Sequence, residues 1–359
     1  MTRIHNFSAG PSALPLPVLE QAQAELIDFR GSGASLLEQS HRGKVYDAVH
    51  AECTEDLRTL LGLGDEHVIV FMGGGARTQF ALVPTNLLAG GTGGYITTGR
   101  WSQGAVDEGA KIGSVRELWH CRDTGHDRVP AEGEVVIPDD LDYLHYTTNN
   151  TIYGTQFSYV PETGDVPLVC DMSSDILSAP MDYGRFAMIY AGAQKNLGPA
   201  GVTLLVIRKD MLERSRAELP EMWNYKKVAG KDSMLNTPPV YAIYFVGLVA
   251  KYLLAHGGAA AAAERNQRKA GALYGEIDGS DFWRGHAQVG SRSQMNVTFR
   301  SPSDELDKEF VAAATAEGLS GLKGHRSVGG LRASIYNAVP EESVTALVEF
   351  MKEFRRTRG

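Results

Sequence analysis

Cysteine is scarce in this chain: three among 359 residues, at positions 53, 121 and 170, with no CxxC spacing. That excludes zinc ribbons and thioredoxin-type redox motifs, and a sparse, odd set suits a reducing compartment. Long apolar runs are missing too. No stretch reaches the ~18 residues of a membrane helix. The opening MTRIHNFSAGPSALP lacks the apolar core of a secretory signal. Nor is there cationic excess, since 35 Lys and Arg face 43 Asp and Glu, a formal charge of −8. Nucleic-acid and anionic-membrane binders draw affinity from excess Lys and Arg, so neither partner is expected. The chain reads as cytoplasmic, and its acidity leaves room for a small cationic pocket that takes an acidic metabolite.

What is present is a regular alternation. Apolar runs of strand length occur at 67–72 (HVIVFM), 93–99, 115–120, 142–148, 167–172, 187–191 (AMIYA) and 202–207 (VTLLVI). Stretches with helical spacing, such as ARTQFALVPTNLLA, separate several of them. Strands alternating with helices imply crossover connections and an α/β fold with a mostly parallel, seven-stranded sheet. Before the sheet, LPVLEQAQAELIDF and VYDAVHAECTEDLRTLLGL read as helices, the second closed by Gly62 or Gly64. Beyond Pro238 and Pro239, a long apolar helix and an alanine-rich helix lead into two strands and a last helix. This reading gives an irregular arm over 1–15, a large domain over 16–256 and a smaller α+β domain over 257–359.

Three features carry chemistry. The turn MGGGARTQF, at 72–80, follows a strand and opens a helix. Its glycines let backbone N–H groups face an anion at a helix N-terminus, though a plain tight turn is the competing reading. It lacks the GK[ST] of a P-loop and the third glycine of GxGxxG. Asp171, in LVCDMSSD, ends an apolar strand, where ligands of open α/β sheets collect. Alone it reads as a turn cap. Lys195, in GAQKNLGPAG, is a single amine bracketed by buried-strand runs. Most lysines are solvated, yet together these three features fit pyridoxal 5'-phosphate. The lysine would condense with its aldehyde, the aspartate would keep its ring nitrogen protonated, and the glycine turn would hold its phosphate. Trp101, in TTGRWSQG, offers a flat wall for a ring or is a core aromatic.

The motifs NFSAGPSALP, SHRGK, FMGGGART, TTGRWSQ, NNTIYGT, CDMSSD, AQKNLGPAG, NTPPVYAIY and GHRSVGGLRASIYNA run in this order along the whole chain. In that order they resemble the phosphoserine aminotransferase family, within the class V aminotransferases. The resemblance implies the aspartate-aminotransferase-like fold, fold type I, with pyridoxal 5'-phosphate as cofactor. It implies that Lys195 is the Schiff-base and catalytic lysine, that Asp171 partners the ring nitrogen and that Trp101 stacks. Thr151 matches the position near the ring hydroxyl, and Ala76, Arg77 and Gln194 match phosphate-binding positions. Asn236 and Thr237 match phosphate ligands given by the neighbouring subunit of a homodimer with shared sites. Arg42 and Arg332 resemble the carboxylate and phosphate binders of the substrates. His41, His325 and Arg326 add to that cluster, the last two reaching across the dimer.

The implied reaction moves an amino group between L-glutamate and 3-phosphooxypyruvate, in L-serine biosynthesis. A four-carbon hydroxylated keto acid of pyridoxine biosynthesis is a further candidate acceptor. One site must then grip carboxylates and a phosphate in turn, which calls for the planar forks of arginine. Singly, each Arg reads as a surface ion pair. Two positions depart from the family pattern. Ala9 replaces a serine found in some members and lacks its hydroxyl. Ala76 replaces a glycine, which is harmless if its φ is negative. Rival readings are an alanine–glyoxylate-type aminotransferase, a cysteine desulfurase and a cofactor-binding regulator. The last would need an attached DNA-binding segment, and no basic helix-turn-helix stretch is visible.

Overall fold

A computed structural model describes residues 3–359. All seven apolar runs form strands of one sheet: β1 His67–Gly73, β2 Thr92–Thr97, β3 Ser114–His120, β4 Leu141–Thr147, β5 Leu168–Asp171, β6 Met188–Gly192 and β7 Val202–Arg208. Their spatial order is β1-β7-β6-β5-β4-β2-β3. Every neighbouring pair is parallel except those of β7, which runs antiparallel to both β1 and β6. The connection from β6 to β7 therefore reverses the chain one strand in from the β1 edge of the sheet, and Lys195 lies in it.

Interior parallel strands are covered on both faces, which is why they read as nearly unbroken apolar runs. Side chains alternate between the two faces with the period of the pleat. Leu144, Tyr146, Cys170, Leu204 and Val206 enter one core, shared with the helices α2 (Lys44–Leu61) and α5 (Val240–Ala255). Tyr143, Val169, Leu205 and Ile207 enter the other, against α3 (Ala76–Leu87) and α4 (Arg100–Ile112). Edge strand β3 departs from this pattern: its residues are exposed or half-buried. It pairs with β2 alone, and Arg116 reaches Asp140 at 3.0 Å on its solvent side.

Helix α2 buries Tyr46, Val49, Cys53, Leu57 and Leu61, the three-and-four spacing of one face. Of the two glycines expected to close it, Gly62 does so, with φ 59°, where an L side chain is strained. The first expected helix is shorter than its apolar pattern: α1 spans Leu16–Ala24. Beyond it Glu25 turns to accept a hydrogen bond from the Tyr244 hydroxyl, and Leu26 and Ile27 are left exposed.

A third core gathers Leu273 and Ile277 of α6 (Gly258–Asp278), Val297 and Phe299 of β8 (Asn296–Arg300), Phe310 of α7 (Asp304–Ala316), Leu331 and Ala333 of β9 (Leu331–Ser334), and Leu347 of α8 (Glu341–Arg358). Phe7 of the expected irregular arm is buried in it, because His5–Asn6 pairs in parallel with Leu319–Ser320. Among the described residues no single helix is long and apolar enough to cross a membrane. The pair α5 and α6 passes together by length and composition but is bent by 83°.

Leu57 is fully buried between α2 and its neighbours. Leu57→Ala is expected to cost about 2–5 kcal/mol of folding stability, read as a lowered denaturant midpoint at unchanged slope. An unchanged midpoint would contradict the packing described.

Candidate functional site

The C-terminal ends of the parallel strands converge, as ligand sites of open α/β sheets do. Asp171 closes β5, Gly192 closes β6, and the turn after β1 brings Gly75, Ala76 and Arg77 alongside. Asp171, Gly75, Ala76 and Arg77 line a cleft of about 430 Å³ whose wall also includes Ala9, Trp101, Thr151, Ser173, Gln194, Lys195, His325 and Arg332. Nine of the fourteen residues singled out in the sequence thus meet in one place: Ala76, Arg77, Trp101, Thr151, Asp171, Gln194, Lys195, His325 and Arg332.

The loop of Lys195 is held by the N-terminal arm. The backbone N–H of Ser12 donates to the Gln194 carbonyl at 3.0 Å, and the Ser12 hydroxyl donates to the Lys195 carbonyl. Its Nζ lies 5.8 Å from the centroid of the Trp101 ring. The Trp101 indole N–H donates to Thr151 Oγ1 at 3.0 Å, which fixes the ring's tilt. The Arg332 guanidinium donates to the Thr151 carbonyl at 2.8 Å, so tryptophan, threonine and arginine form one chain of contacts.

Burial governs the ionisation here. It pushes the Lys195 ammonium below its usual pKa; Asp171 and Asp175 oppose the shift and Arg332 adds to it. It pushes the Asp171 carboxyl up, against the pull of Lys195 and of two bonds from Ser173. Those bonds come from the Ser173 hydroxyl at 2.6 Å and its N–H at 2.9 Å, both onto Oδ1. The same hydroxyl accepts from the Gly192 N–H at 3.0 Å, tying β5 to β6. Arg332 is half-buried, and desolvation lowers its pKa as well.

The turn after β1 has the features of an anion cradle. Ala76 is the first residue of α3, a helical position with negative φ, so alanine fits where glycine was the alternative. A Cβ added to Gly192 would stand 2.8 Å from Gln194 Oε1 and 3.3 Å from the Ala76 N–H nitrogen. Glycine keeps that space open. Gln194 Oε1 and Arg332 Nε are buried without a hydrogen-bond partner, so both have bonding capacity to offer a ligand. An amine, a carboxylate at a strand end and an open cradle at a helix N-terminus fit a phosphorylated carbonyl cofactor.

Five expected residues lie outside the cleft. His41 is buried ahead of α2 with Nε2 unpartnered, while Arg42, Asn236 and Thr237 are exposed. Arg326 is exposed and lines, with His325, an adjoining cavity of about 640 Å³. His325 also faces the cleft of its own chain. The Gly329 N–H, bonded to the His325 carbonyl at 2.8 Å, folds that loop back toward Arg332.

Sequence reasoning missed Gly10, Phe80, Ser173 and Asp175. Ser173 had a legible signal, a serine two residues after an aspartate in a turn. Asp175 is buried and accepts from Gln156 at 3.1 Å and from the Thr148 hydroxyl. Burial pushes its pKa up to about 7.

A family model described as Aminotransferase class-V matches residues 4–347. The phosphoserine aminotransferase of Desulfatibacillum aliphaticivorans is 54% identical over 360 residues, 99% of each chain. Among solved structures, the phosphoserine aminotransferase from Bacillus circulans subsp. alkalophilus is similar with a TM-score of 0.98 at 49% identity, covering 99% of both chains. The PLP-bound phosphoserine aminotransferase from Trichomonas vaginalis has a TM-score of 0.93 at 39% identity, covering 98% of this chain and 100% of its own.

Asp175 also makes stability depend on pH. Its folded pKa of about 7 exceeds the usual 3.8, so the folded state keeps a proton that the unfolded chain has released. Stability contributed this way is full below the lower value and lost as pH rises to the upper one. The loss is at most about 1.4 kcal/mol per pH unit. Asp175→Asn is expected to flatten the fall between those two pH values, seen in denaturant midpoints measured across it. Equal slopes in both proteins would contradict the burial of this carboxyl.

Proposed function

This chain belongs to the phosphoserine aminotransferase family of the class-V aminotransferases, with their fold type I architecture, and from that premise we propose its reaction and the roles of its residues. The reaction is reversible transfer of an amino group between L-glutamate and 3-phosphooxypyruvate, giving O-phospho-L-serine and 2-oxoglutarate for L-serine biosynthesis. The observation that carries it is Lys195 and Asp171 sharing a cleft with Arg77, His325 and Arg332.

The cofactor is pyridoxal 5'-phosphate, which when bound supplies a carbonyl to carry the amino group and a ring that takes up electrons from the substrate's Cα. Lys195 anchors it, and its lowered pKa favours the neutral amine that an anchor and a proton carrier at Cα both need. Asp171, kept in place by Ser173, holds the proton on the ring nitrogen. Trp101 and Thr151 set the ring's plane and its hydroxyl. Ala76, Arg77 and Gln194 hold the phosphate, and the unpartnered Gln194 oxygen beside the Gly192 gap supports that role.

Arg332 takes a substrate carboxylate, with its guanidinium aimed by the Thr151 carbonyl. His41, Arg42, His325 and Arg326 complete the anion-binding set. The exposure of Arg42, Asn236, Thr237 and Arg326 supports a homodimer in which a second copy brings these residues to its neighbour's cleft. A large domain over 16–256 and a small one over 257–359 would frame that cleft. The four-carbon hydroxylated acceptor of pyridoxine biosynthesis carries the same carboxylate and phosphate, so these cations would take it as well. The desulfurase alternative needs a reactive thiol. Burial instead holds Cys53 and Cys170 far above the usual range and Cys121 up at about 11.

The functional reading is tested by the absorption spectrum of the loaded protein. O-phospho-L-serine is expected to bleach the cofactor band at concentrations where serine leaves it unchanged; equal bleaching by serine would overturn the substrate assignment. Lys195→Ala is expected to lower turnover by at least ~1,000-fold. If the sites are shared, mixing that variant with an equally inactive Asn236→Asp variant should restore about a quarter of wild-type activity through mixed dimers holding one intact site. No restoration would contradict the shared site.

A further inference from the structure

Lys269 is almost wholly buried in α6, 2% exposed, and no step described above uses it. Its Nζ donates to the carbonyls of Ile335, Tyr336 and Val339 at 2.8, 2.7 and 3.1 Å. A neutral amine has two N–H groups, so three carbonyl acceptors require the ammonium form. Burial opposes this and pushes the pKa down to about 7, with Arg265 adding to the fall and Glu341 resisting it. The nearby carboxylate Glu341 is taken instead by Arg268, at 2.7 Å. A buried charge without a carboxylate partner is costly unless its bonds are well made.

The turn those three carbonyls belong to runs from the end of β9, which carries Arg332, to the start of α8. It meets the cleft wall at Ala9 and the lysine loop at Asn196. The Tyr336 hydroxyl donates to the carbonyl of Ala9, part of the cleft wall, at 2.8 Å. The Asn337 N–H donates to Asn196 Oδ1 at 2.9 Å. Asn196 follows Lys195 directly, is 5% exposed, and donates its Nδ2 to the Ile176 carbonyl at 2.6 Å, in the segment that follows Asp171. Both ends of that amide are thus committed, one to the turn and one to the aspartate's loop. Asn266, one helical turn before Lys269, bonds Asn337 Oδ1 at 2.8 Å from the same helix face.

We propose that Lys269 and Asn196 are positioning residues for Lys195: the ammonium fixes the 335–339 turn, and Asn196 passes that constraint to the adjoining lysine and to the loop of Asp171. The inference rests on the functional reading above, in which Lys195 anchors the cofactor.

Three readouts on the loaded enzyme test it. Lys269→Met and Asn196→Ala are each expected to lower kcat about tenfold. The double variant should fall no more than about twofold below the worse single one, because one relay is cut twice. The pH midpoint of the cofactor's absorption change, which reports ionisation at Lys195, should move by about half a unit in both single variants. A variant with reduced Tm but wild-type kcat, KM and midpoint would show a purely structural role and overturn the proposal. Should Lys269→Met fail to fold, Asn196→Ala decides, since it leaves the ammonium and its three acceptors in place; wild-type kcat and midpoint there overturn the relay. Wild-type protein with no such absorption band would overturn the functional reading itself, a failure visible before any variant is made.

Discussion

One amine and one carboxyl held out of water beside neighbouring strand ends govern the rest of this structure. Lys195 and Asp171 are each destabilised in their charged form by burial, and each lowers the other's cost. In a low-dielectric cleft such a pair is tolerated only where hydrogen bonds and a fixed geometry support it. The Ser173 bonds to Asp171, the Ser12 bonds to the lysine loop and the Asn196 amide supply that support. A site maintained at this cost is one where a charged or carbonyl-bearing ligand completes the electrostatics.

The sheet topology makes the arrangement possible. Six strands end on one edge of the sheet, while β7 turns back beside β6 and so places the lysine loop above that edge instead of on a distant crossover. Glycine at 192 keeps the space between Gln194 and the first turn of α3 free. Arginine enters from a different unit: Arg332 pairs with Thr298 in the β8–β9 ladder and reaches across to the Thr151 carbonyl. The tryptophan wall of the cleft and the arginine thus come from separate layers of the fold that meet at one threonine.

Much of this was legible in the sequence. Buried parallel strands leave unbroken apolar runs, so all seven were placed to within a few residues. Asp171 stood out because it ends such a run, and Lys195 because it sits in a tight bend between two of them. Contacts between distant segments left no local trace. The pairing of His5–Asn6 with Leu319–Ser320, the antiparallel course of β7 and the early end of α1 each depend on a partner far along the chain. Ser173 and Asp175 were visible as letters but not as neighbours of the lysine. Exposed residues such as Arg42, Asn236 and Thr237 were found only through family resemblance, since nothing in their spacing distinguishes them from ordinary surface side chains.

Reduction of the loaded protein with borohydride, followed by peptide mapping, addresses the central claim most directly. The account predicts one pyridoxyl-modified peptide, containing AQKNLGPAG with the label on Lys195. A label on another lysine, or a protein that takes up no cofactor and traps none, would contradict it.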